Sequence, residues 1–355
     1  MRVAVVLPRG MHFSPNGATS IDLVAHDQAL ASRYKDQTWI IGASVASPWD
    51  DVDFRGQSGA SNSGLVKLII GELKRDMPDV IVVHQHPSSA AKIARAIPNI
   101  PVVLYRHGLL KTRGGLSRWI KNWQLRKLQR IVFVSNFLQQ KFLDKFPHIG
   151  TTLDVIPNSL DTDFWRPADK KIRQVVYVGR ARADKGILEL VEAFRQSDIS
   201  NWNLKLVLGV QTAEENNFSD NIKKVIQKFP NIDIEINLPS IQVKSHFAQS
   251  SIAALPSIVE EGFPRAVVEA MSCGCAVVAT ARGGTPEATG EAAILLSEPS
   301  VEEIRKVLEE FMKDEARIFQ YGKKARKHIE NRLELTQVIG QYDDMLVELI
   351  SEPSK

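Results

Sequence analysis

The sequence predicts an α/β protein built from two doubly wound parallel sheets. In the N-terminal half, short β-branched apolar runs alternate with helix-length segments. The same alternation restarts after a polar, proline-marked stretch around residue 166. A chain of 355 residues also exceeds one ordinary domain, and its 44% hydrophobic and 24% charged content is that of a folded globular protein.

The first half carries apolar runs at Val3 to Leu7, Thr38 to Gly42, Val80 to Val83, Val102 to Tyr105 and Ile131 to Val134, with helix-length segments at 18–34, 64–76, 88–97 and 116–128. Ligands of such sheets sit beyond the carboxyl ends of the strands, so the residues that follow each run are the candidates for chemistry. After the first run come Pro8-Arg9-Gly10 and Ser14-Pro15-Asn16-Gly17-Ala18, a glycine loop of the kind that approaches a phosphate or a sugar. His84 and His86 follow the third run, and Arg106-His107-Gly108 follows the fourth. A histidine at such a place either caps or hydrogen-bonds at the surface or takes part in function. The residues alone leave both open.

Charge is unevenly spread. Residues 1–165 hold 20 Lys and Arg against 13 Asp and Glu, whereas the remainder holds 25 against 28. Val80 to Leu143 contains eleven Lys and Arg and no acidic residue, a field that attracts an anionic partner. Within 111–130, Leu116, Trp119, Ile120 and Trp123 recur at helical spacing, interleaved with Arg118, Lys121, Arg126 and Lys127. One reading is an amphipathic helix packed on the core with a solvated basic rim. The other is an interfacial helix, with tryptophans at headgroup level and cations on anionic lipid. Nucleic acid is disfavoured because the aromatics lie on one helix face and not along a sheet.

The two cysteines, Cys273 and Cys275, are too close for a disulfide framework and too few for a zinc site, which points to a reducing compartment. No apolar run approaches the roughly 18 residues that span a bilayer. The opening Arg2 to Pro8 reads as a buried strand and not as a signal segment. A cytoplasmic location is therefore expected, with a peripheral position at the inner face of a membrane if the basic helix is interfacial.

Trp165 to Lys171 reads as the linker between the halves. Beyond it, Gln174 to Val178 is a strand, and Gly179-Arg180-Ala181-Arg182-Ala183-Asp184-Lys185-Gly186 forms a basic loop ahead of a helix from Ile187 to Arg195. Two or three cations there can neutralise a diphosphate, arginine as a fork and lysine as a point charge. The Gly-Lys-Ser/Thr ending of a Walker loop is missing. Strands follow at Leu204 to Gly209, Ile232 to Ile236 and Ile252 to Leu255, with helices at 213–228 and 241–249, and from 300 onward the chain reads as helices.

Pro256 to Glu287 is the most informative stretch. It reads as a strand end, a tight loop broken by Gly262 and Pro264, a short helix, a second strand and a glycine turn. Pro264 suits the first position of the helix, whose amino end can hold an anion. Glu261 in the loop and Glu269 in the helix, with seven residues between them, can face one polyhydroxylated ligand, although surface carboxylates are commonly just solvated.

Pro256-Ser257, Glu261-Gly262-Phe263, Glu269-Ala270-Met271, Cys273-Gly274 and Gly283-Gly284 with Pro286-Glu287 together resemble the donor site of the retaining glycosyltransferases of family 4, also called group 1. The resemblance implies the GT-B fold, two Rossmann-like doubly wound domains facing across a cleft: 1–165 on the acceptor side, 172–334 on the donor side, and 335–355 as a helix crossing back. It further implies that Glu261 contacts the donor sugar, Glu269 the nucleotide ribose, and Arg180 and Lys185 the diphosphate, with Gly262, Phe263 and Pro264 at the helix entrance. Pro264 stands where many members have glycine. By the same resemblance His107 faces the donor sugar, and Gly17 is the one match to a paired-glycine loop near the donor phosphate or the acceptor. His84, His86 and Arg106 are then candidates for lining the cleft or touching the acceptor.

Pro157-Asn158-Ser159-Leu160-Asp161 resembles the interdomain Pro-Asn-Gly-Val-Asp motif, and Asn237-Leu238-Pro239 falls where the family places the base. The implied activity is retaining transfer from a nucleoside diphosphate sugar to a cell-envelope, lipopolysaccharide-core or other lipid-linked glycan. No metal and no cofactor are expected, fixed cations and amides taking a metal's part. Asp51-Val52-Asp53 has the spelling of a metal-binding pair but lies far from the other motifs. A non-catalytic sugar-nucleotide-binding partner subunit and a sugar-nucleotide epimerase on the same fold are the competing readings.

Overall fold

The computed structural model describes residues 1–8, 10–58, 61–111, 114–197 and 201–351. Arg9 of the first loop, Thr112 and Arg113 of the basic segment and the Leu116 side chain lie outside the described set. The chain divides into two compact units, Met1–Ser159 with Leu335–Lys355, and Leu160–Glu334.

The first unit holds β1 (Val3–Leu7), β2 (Thr38–Ala43), β3 (Asp53–Gln57), β4 (Val80–His84), β5 (Val102–Arg106), β6 (Arg130–Phe133) and β7 (Thr152–Val155) in one sheet of order β3-β2-β1-β4-β5-β6-β7. Every pairing is parallel, with Val3 beside both Thr38 and Val80. β1, β4, β5 and β6 are buried along their whole length, as strands covered on both faces must be, and this is why Val3 to Leu7, Val80 to Val83, Val102 to Tyr105 and Ile131 to Val134 read as apolar runs. β3 and β7 escaped sequence reasoning. Both are edge strands with exposed, polar residues, so neither carries a periodic apolar signal.

The second unit holds β8 (Ile172–Arg180), β9 (Asn203–Gly209), β10 (Ile232–Ile236), β11 (Ser250–Leu255), β12 (Ala276–Thr280) and β13 (Ile294–Leu296), ordered β10-β9-β8-β11-β12-β13 and again all parallel. Its order reverses at β8, as the first unit's does at β1. Loops after the two strands at such a reversal leave to opposite faces and open a crevice between them.

The boundary between units falls at Ser159 and Leu160, inside the Pro157 to Asp161 motif and ahead of the expected 165. The expected linker is part of the second unit. Trp165 is buried, the Ala168 amide donates to the Ala248 carbonyl (3.1 Å), and Lys171 Nζ donates to the carbonyls of Ser250 (2.9 Å) and Cys273 (2.6 Å). Polar composition suggested a solvated tether, but Lys171 spends its charge on carbonyls at the carboxyl end of helices and turns. The last helix, Leu335–Ser351, belongs to the first unit, where buried Asp343 accepts from Ser32 Oγ (2.6 Å) and the Arg33 amide (2.9 Å).

Candidate functional site

In the second unit the crevice beside β8 is built by three loops. β8 ends at Arg180, and the chain turns through a 3-10 segment, Ala183–Lys185, to Gly186, which starts the helix Ile187–Gln196. Gly186 has φ 71°, and a Cβ there would strike the Pro256 carbonyl oxygen, so a side chain is excluded twice over. The loop after β11 packs onto this turn through the Ile258 amide, which donates to the Asp184 carbonyl (3.0 Å). From the other side, the turn after β12 grips the same loop: the Gly284 amide donates to the Glu261 carbonyl (2.8 Å) and the Arg282 guanidinium to the Ile258 carbonyl. Gly283, at φ 63°, lies so close to the Glu261 backbone that a Cβ would overlap it.

Held in this way, Glu261 presents its carboxylate to Lys185. Lys185 Nζ donates to Glu261 Oε1, which also accepts from Ser257 Oγ (3.2 Å), and the two charged side chains remain 16% and 28% exposed. They are paired yet within reach of a ligand.

Arg180 turns to the other side of β8. Its guanidinium donates to Gln211 Oε1 (2.5 Å) and to the Glu215 carboxylate (2.6 Å). Glu215 is itself fixed in the capping box of the helix Ala213–Ile226, accepting from the amides of Gln211 (2.8 Å) and Thr212 (3.2 Å). Burial works to raise its carboxyl pKa, but Arg180 and those amides outweigh it and hold the value below the ordinary one. Arg180 and Lys185 are thus not joined on one partner: the first is anchored to the loop after β9, the second to the loop after β11. Sequence reasoning did not single out Glu215 or Gln211. The Thr212-x-x-Glu215 spelling of a capping box was the available signal.

Pro264 departs from expectation. It is the N-cap, with φ −76° and ψ 104°, and the helix proper is Arg265–Ser272; the Pro264 carbonyl accepts the first helical bond, from Val268 (3.3 Å). Phe263 is buried beside it, and Glu269 is buried in an ion pair with Arg265 (2.7 Å). After β10, Asn237 adopts φ 54° and is tied to Val210 by two side-chain hydrogen bonds, 2.7 and 3.0 Å.

In the first unit, β4 and β5 deliver the histidines. His84, fully buried at the end of β4, places Nδ1 2.9 Å from His107 Nε2, just past β5. Burial pushes the His84 imidazole down to about 3, and burial, with the repulsion that a protonated His84 and the Arg106 guanidinium would add, holds His107 well below its ordinary value. Both rings are neutral near pH 7. His86 is the N-cap of the helix Pro87–Ala96, bonded through Nδ1 to Ser89 Oγ (2.8 Å), so the capping alternative applies to it. Arg106 does not line an open surface. It is buried, and its guanidinium donates to the carbonyls of Gln85 and Gly108, clamping the loops after β4 and β5 together. Its pKa is lowered to about 10 by that burial.

Gln85, which sequence reasoning passed over, takes φ 61° and accepts from the His107 amide on Oε1 (3.0 Å). After β1, Gly17 has φ 82°, and the loop closes on Asp22 Oδ2, which accepts from the amides of His12 (3.0 Å) and Thr19 (2.8 Å). Asp51 pairs with His26 (2.8 Å) and Asp53 with Arg55 (2.9 Å), so the two carboxylates of the Asp51-Val52-Asp53 spelling are engaged by different partners.

The helix Gly114–Leu125 exposes Trp119 (67%), Ile120 (41%) and Trp123 (43%). That exposure decides against packing of these three on the core. Arg95 lies 4.8 Å and Lys127 5.9 Å from the Trp123 ring centroid. Among the described residues no helix is long and apolar enough to cross a membrane.

Comparison with known proteins agrees with this architecture. Residues 23–164 match the family described as Glycosyltransferase Family 4, and residues 161–331 match Glycosyl transferases group 1. The chain is 27% identical over 247 residues to an alpha-maltose-1-phosphate synthase of Mycobacterium tuberculosis, covering 59% of this chain and 62% of that protein. It is 25% identical over 225 residues to the lipopolysaccharide 1,2-N-acetylglucosaminetransferase of Salmonella typhimurium, covering 59% of this chain and 56% of that protein. These matches span somewhat less than two thirds of either relative. Among solved structures, sucrose-phosphate synthase from Thermosynechococcus elongatus superposes with a TM-score of 0.82 at 16% identity, over 99% of each chain. HepE of Anabaena, in complex with UDP and glucose, gives 0.81 at 16% identity, over 98% of this chain and 100% of that one. The fold is GT-B, and the chain belongs to the group 1, family 4 glycosyltransferases.

Proposed function

We propose that this protein transfers a glycosyl group, with retention and without a metal, from a nucleoside diphosphate sugar to a lipid-linked or cell-envelope glycan. The observation that carries the reading is the Lys185–Glu261 pair, set at the sheet reversal by glycines that tolerate no side chain. A diphosphate entering the crevice takes Lys185 from Glu261 and draws on Arg180, whose fork is already oriented by Glu215. Glu261, released, accepts from a hydroxyl of the donor sugar. Glu269 serves the ribose, Gly262, Phe263 and Pro264 shape the helix entrance, and His107 meets the sugar. The bond from the anomeric carbon to the phosphate oxygen breaks, and the acceptor hydroxyl bonds to the same face of that carbon. Its proton passes to the departing phosphate oxygen. The fixed cations stabilise the charge that develops there.

Support for the donor class comes from HepE, solved with UDP-glucose, and for an envelope acceptor from the lipopolysaccharide relative. The exposed tryptophans of Gly114–Leu125 beside Arg118 and Lys127 support a peripheral seat on anionic lipid at the cytoplasmic face. The test is release of nucleoside diphosphate from a panel of sugar nucleotides, with and without glycolipid acceptor and with chelator present. Lys185→Ala and Glu261→Ala should each lower turnover by about 10²-fold or more while the proteins stay folded. Near-normal turnover by both would overturn the assignment, and donor binding with no turnover in the unmodified protein would favour the non-catalytic partner subunit.

A further inference from the structure

His84 has no part in the reaction just described, yet it is a fully buried titratable group in contact with His107. Its side chain is 0% exposed, and its ring lies within 12° of the His107 plane with centroids 5.1 Å apart. With Nδ1 of His84 2.9 Å from Nε2 of His107, that geometry is two imidazoles meeting edge to edge in one N–H···N hydrogen bond. Tyr105 lies beside both rings, at 5.4 Å from His84 and 5.1 Å from His107.

One proton sits between the rings, and it can belong to either. If His107 carries it on Nε2 and donates, the neutral His84 must hold its own proton on Nε2. Nε2 of His84 is buried and has no hydrogen-bond partner among the described residues. That arrangement strands an N–H in the interior, which forfeits a full hydrogen bond and is the rarer kind of orphan. If His84 instead holds the proton on Nδ1 and donates, the atom left unpaired is a lone pair, which the interior tolerates better. A doubly protonated His84 is disfavoured by the same burial.

We infer that His84 is a positioning residue: by donating from Nδ1 it fixes His107 as the Nδ1–H tautomer, so that His107 offers the donor sugar a hydrogen-bond donor directed at a hydroxyl oxygen and no proton-accepting nitrogen. The inference rests on the reading of His107 as facing the donor sugar and sharpens it. His107 then acts by holding the sugar, and the acceptor's proton must leave by another route, consistent with its passage to the phosphate oxygen.

The experiment is nitrogen–proton correlation NMR of the full chain labelled with 15N-histidine, with the His107 signals assigned by their loss in His107→Asn. The expected spectrum near pH 7.5 shows His107 protonated at Nδ1 and bare at Nε2; the reverse pattern overturns the inference. His84→Asn keeps an amide donor near the position of Nδ1 and should preserve the tautomer, whereas His84→Phe should yield a mixture. In turnover, His84→Phe should lose about tenfold in kcat with donor KM changed less than threefold, and His84→Asn should recover most of that loss. Equal losses in both variants, tracking a fall in Tm, would mark His84 as merely structural. The spectrum needs no turnover. A fixed Nδ1–H tautomer in a protein that transfers no sugar would therefore sink the functional reading alone, and a reversed tautomer in an active enzyme would sink this inference alone.

Discussion

Lys185 and Glu261, 76 residues apart in the chain, form an ion pair across the crevice between the loops that follow β8 and β11. Both side chains keep contact with solvent, so the pair is screened and contributes little to folding, about 0.5 to 1 kcal/mol at most. A double-mutant cycle of Lys185→Ala and Glu261→Ala on urea stability should return a coupling in that range. Loss of either residue should weaken nucleoside diphosphate binding far more than it weakens the fold. A coupling of several kcal/mol would mean that the pair is structural cement and is not available to a ligand.

Arg180 is aimed by Glu215. Glu215→Ala should weaken binding of nucleoside diphosphate by about tenfold, since the guanidinium loses its orientation but keeps its charge. Because Glu215 acts through Arg180, the double variant with Arg180→Ala should bind no more weakly than Arg180→Ala alone, as calorimetric titration would show. Additive losses would give Glu215 a separate role.

Gly283→Ala places a Cβ on the Glu261 backbone in a left-handed conformation. The expected cost is about 1 to 3 kcal/mol, read as a lower urea midpoint, together with reduced turnover because the Glu261 loop must shift. Gly71→Ala, where a Cβ meets nothing within 4 Å inside the helix Asn62–Arg75, is the control and should be neutral or mildly stabilising.

Acid lability follows from His84. The unfolded chain binds its proton near 6.5, whereas burial delays protonation in the folded protein until about 3. The unfolded state therefore holds more protons in that window, and stability falls as pH drops from about 6.5 towards 3. At pH 5 the loss attributable to this residue is ~2 kcal/mol relative to pH 8. His84→Asn should lose correspondingly less stability between pH 8 and pH 5 in urea titrations. An unchanged difference would place the buried charge cost elsewhere.

The Gly114–Leu125 helix should carry the protein to vesicles containing anionic lipid in flotation, and Trp119→Ser with Trp123→Ser should abolish this while leaving nucleotide binding intact. Raising salt should weaken binding by screening Arg118, Lys121 and Lys127. Absence of flotation by the unmodified protein would return the helix to a solvated surface element.

The sequence by itself determined the α/β class, the central strands of both sheets and the neighbourhood of the site. β1, β4, β5, β11 and β12 are buried on both faces, so each must be a run of apolar residues, and such runs are visible without coordinates. Gly186 and Gly283 stand out in the same way, although only the packed loops show what their missing side chains make room for. Tertiary structure alone decided the edge strands β3 and β7, the place of Trp165 to Lys171 in the second unit, and above all the partners: Lys185 on Glu261, Arg180 on Glu215, His84 on His107. A side chain's partner depends on which strands the sheet order brings side by side and on the direction in which each loop leaves them. Neither is written in local periodicity, because parallel neighbours are joined by crossovers tens of residues long.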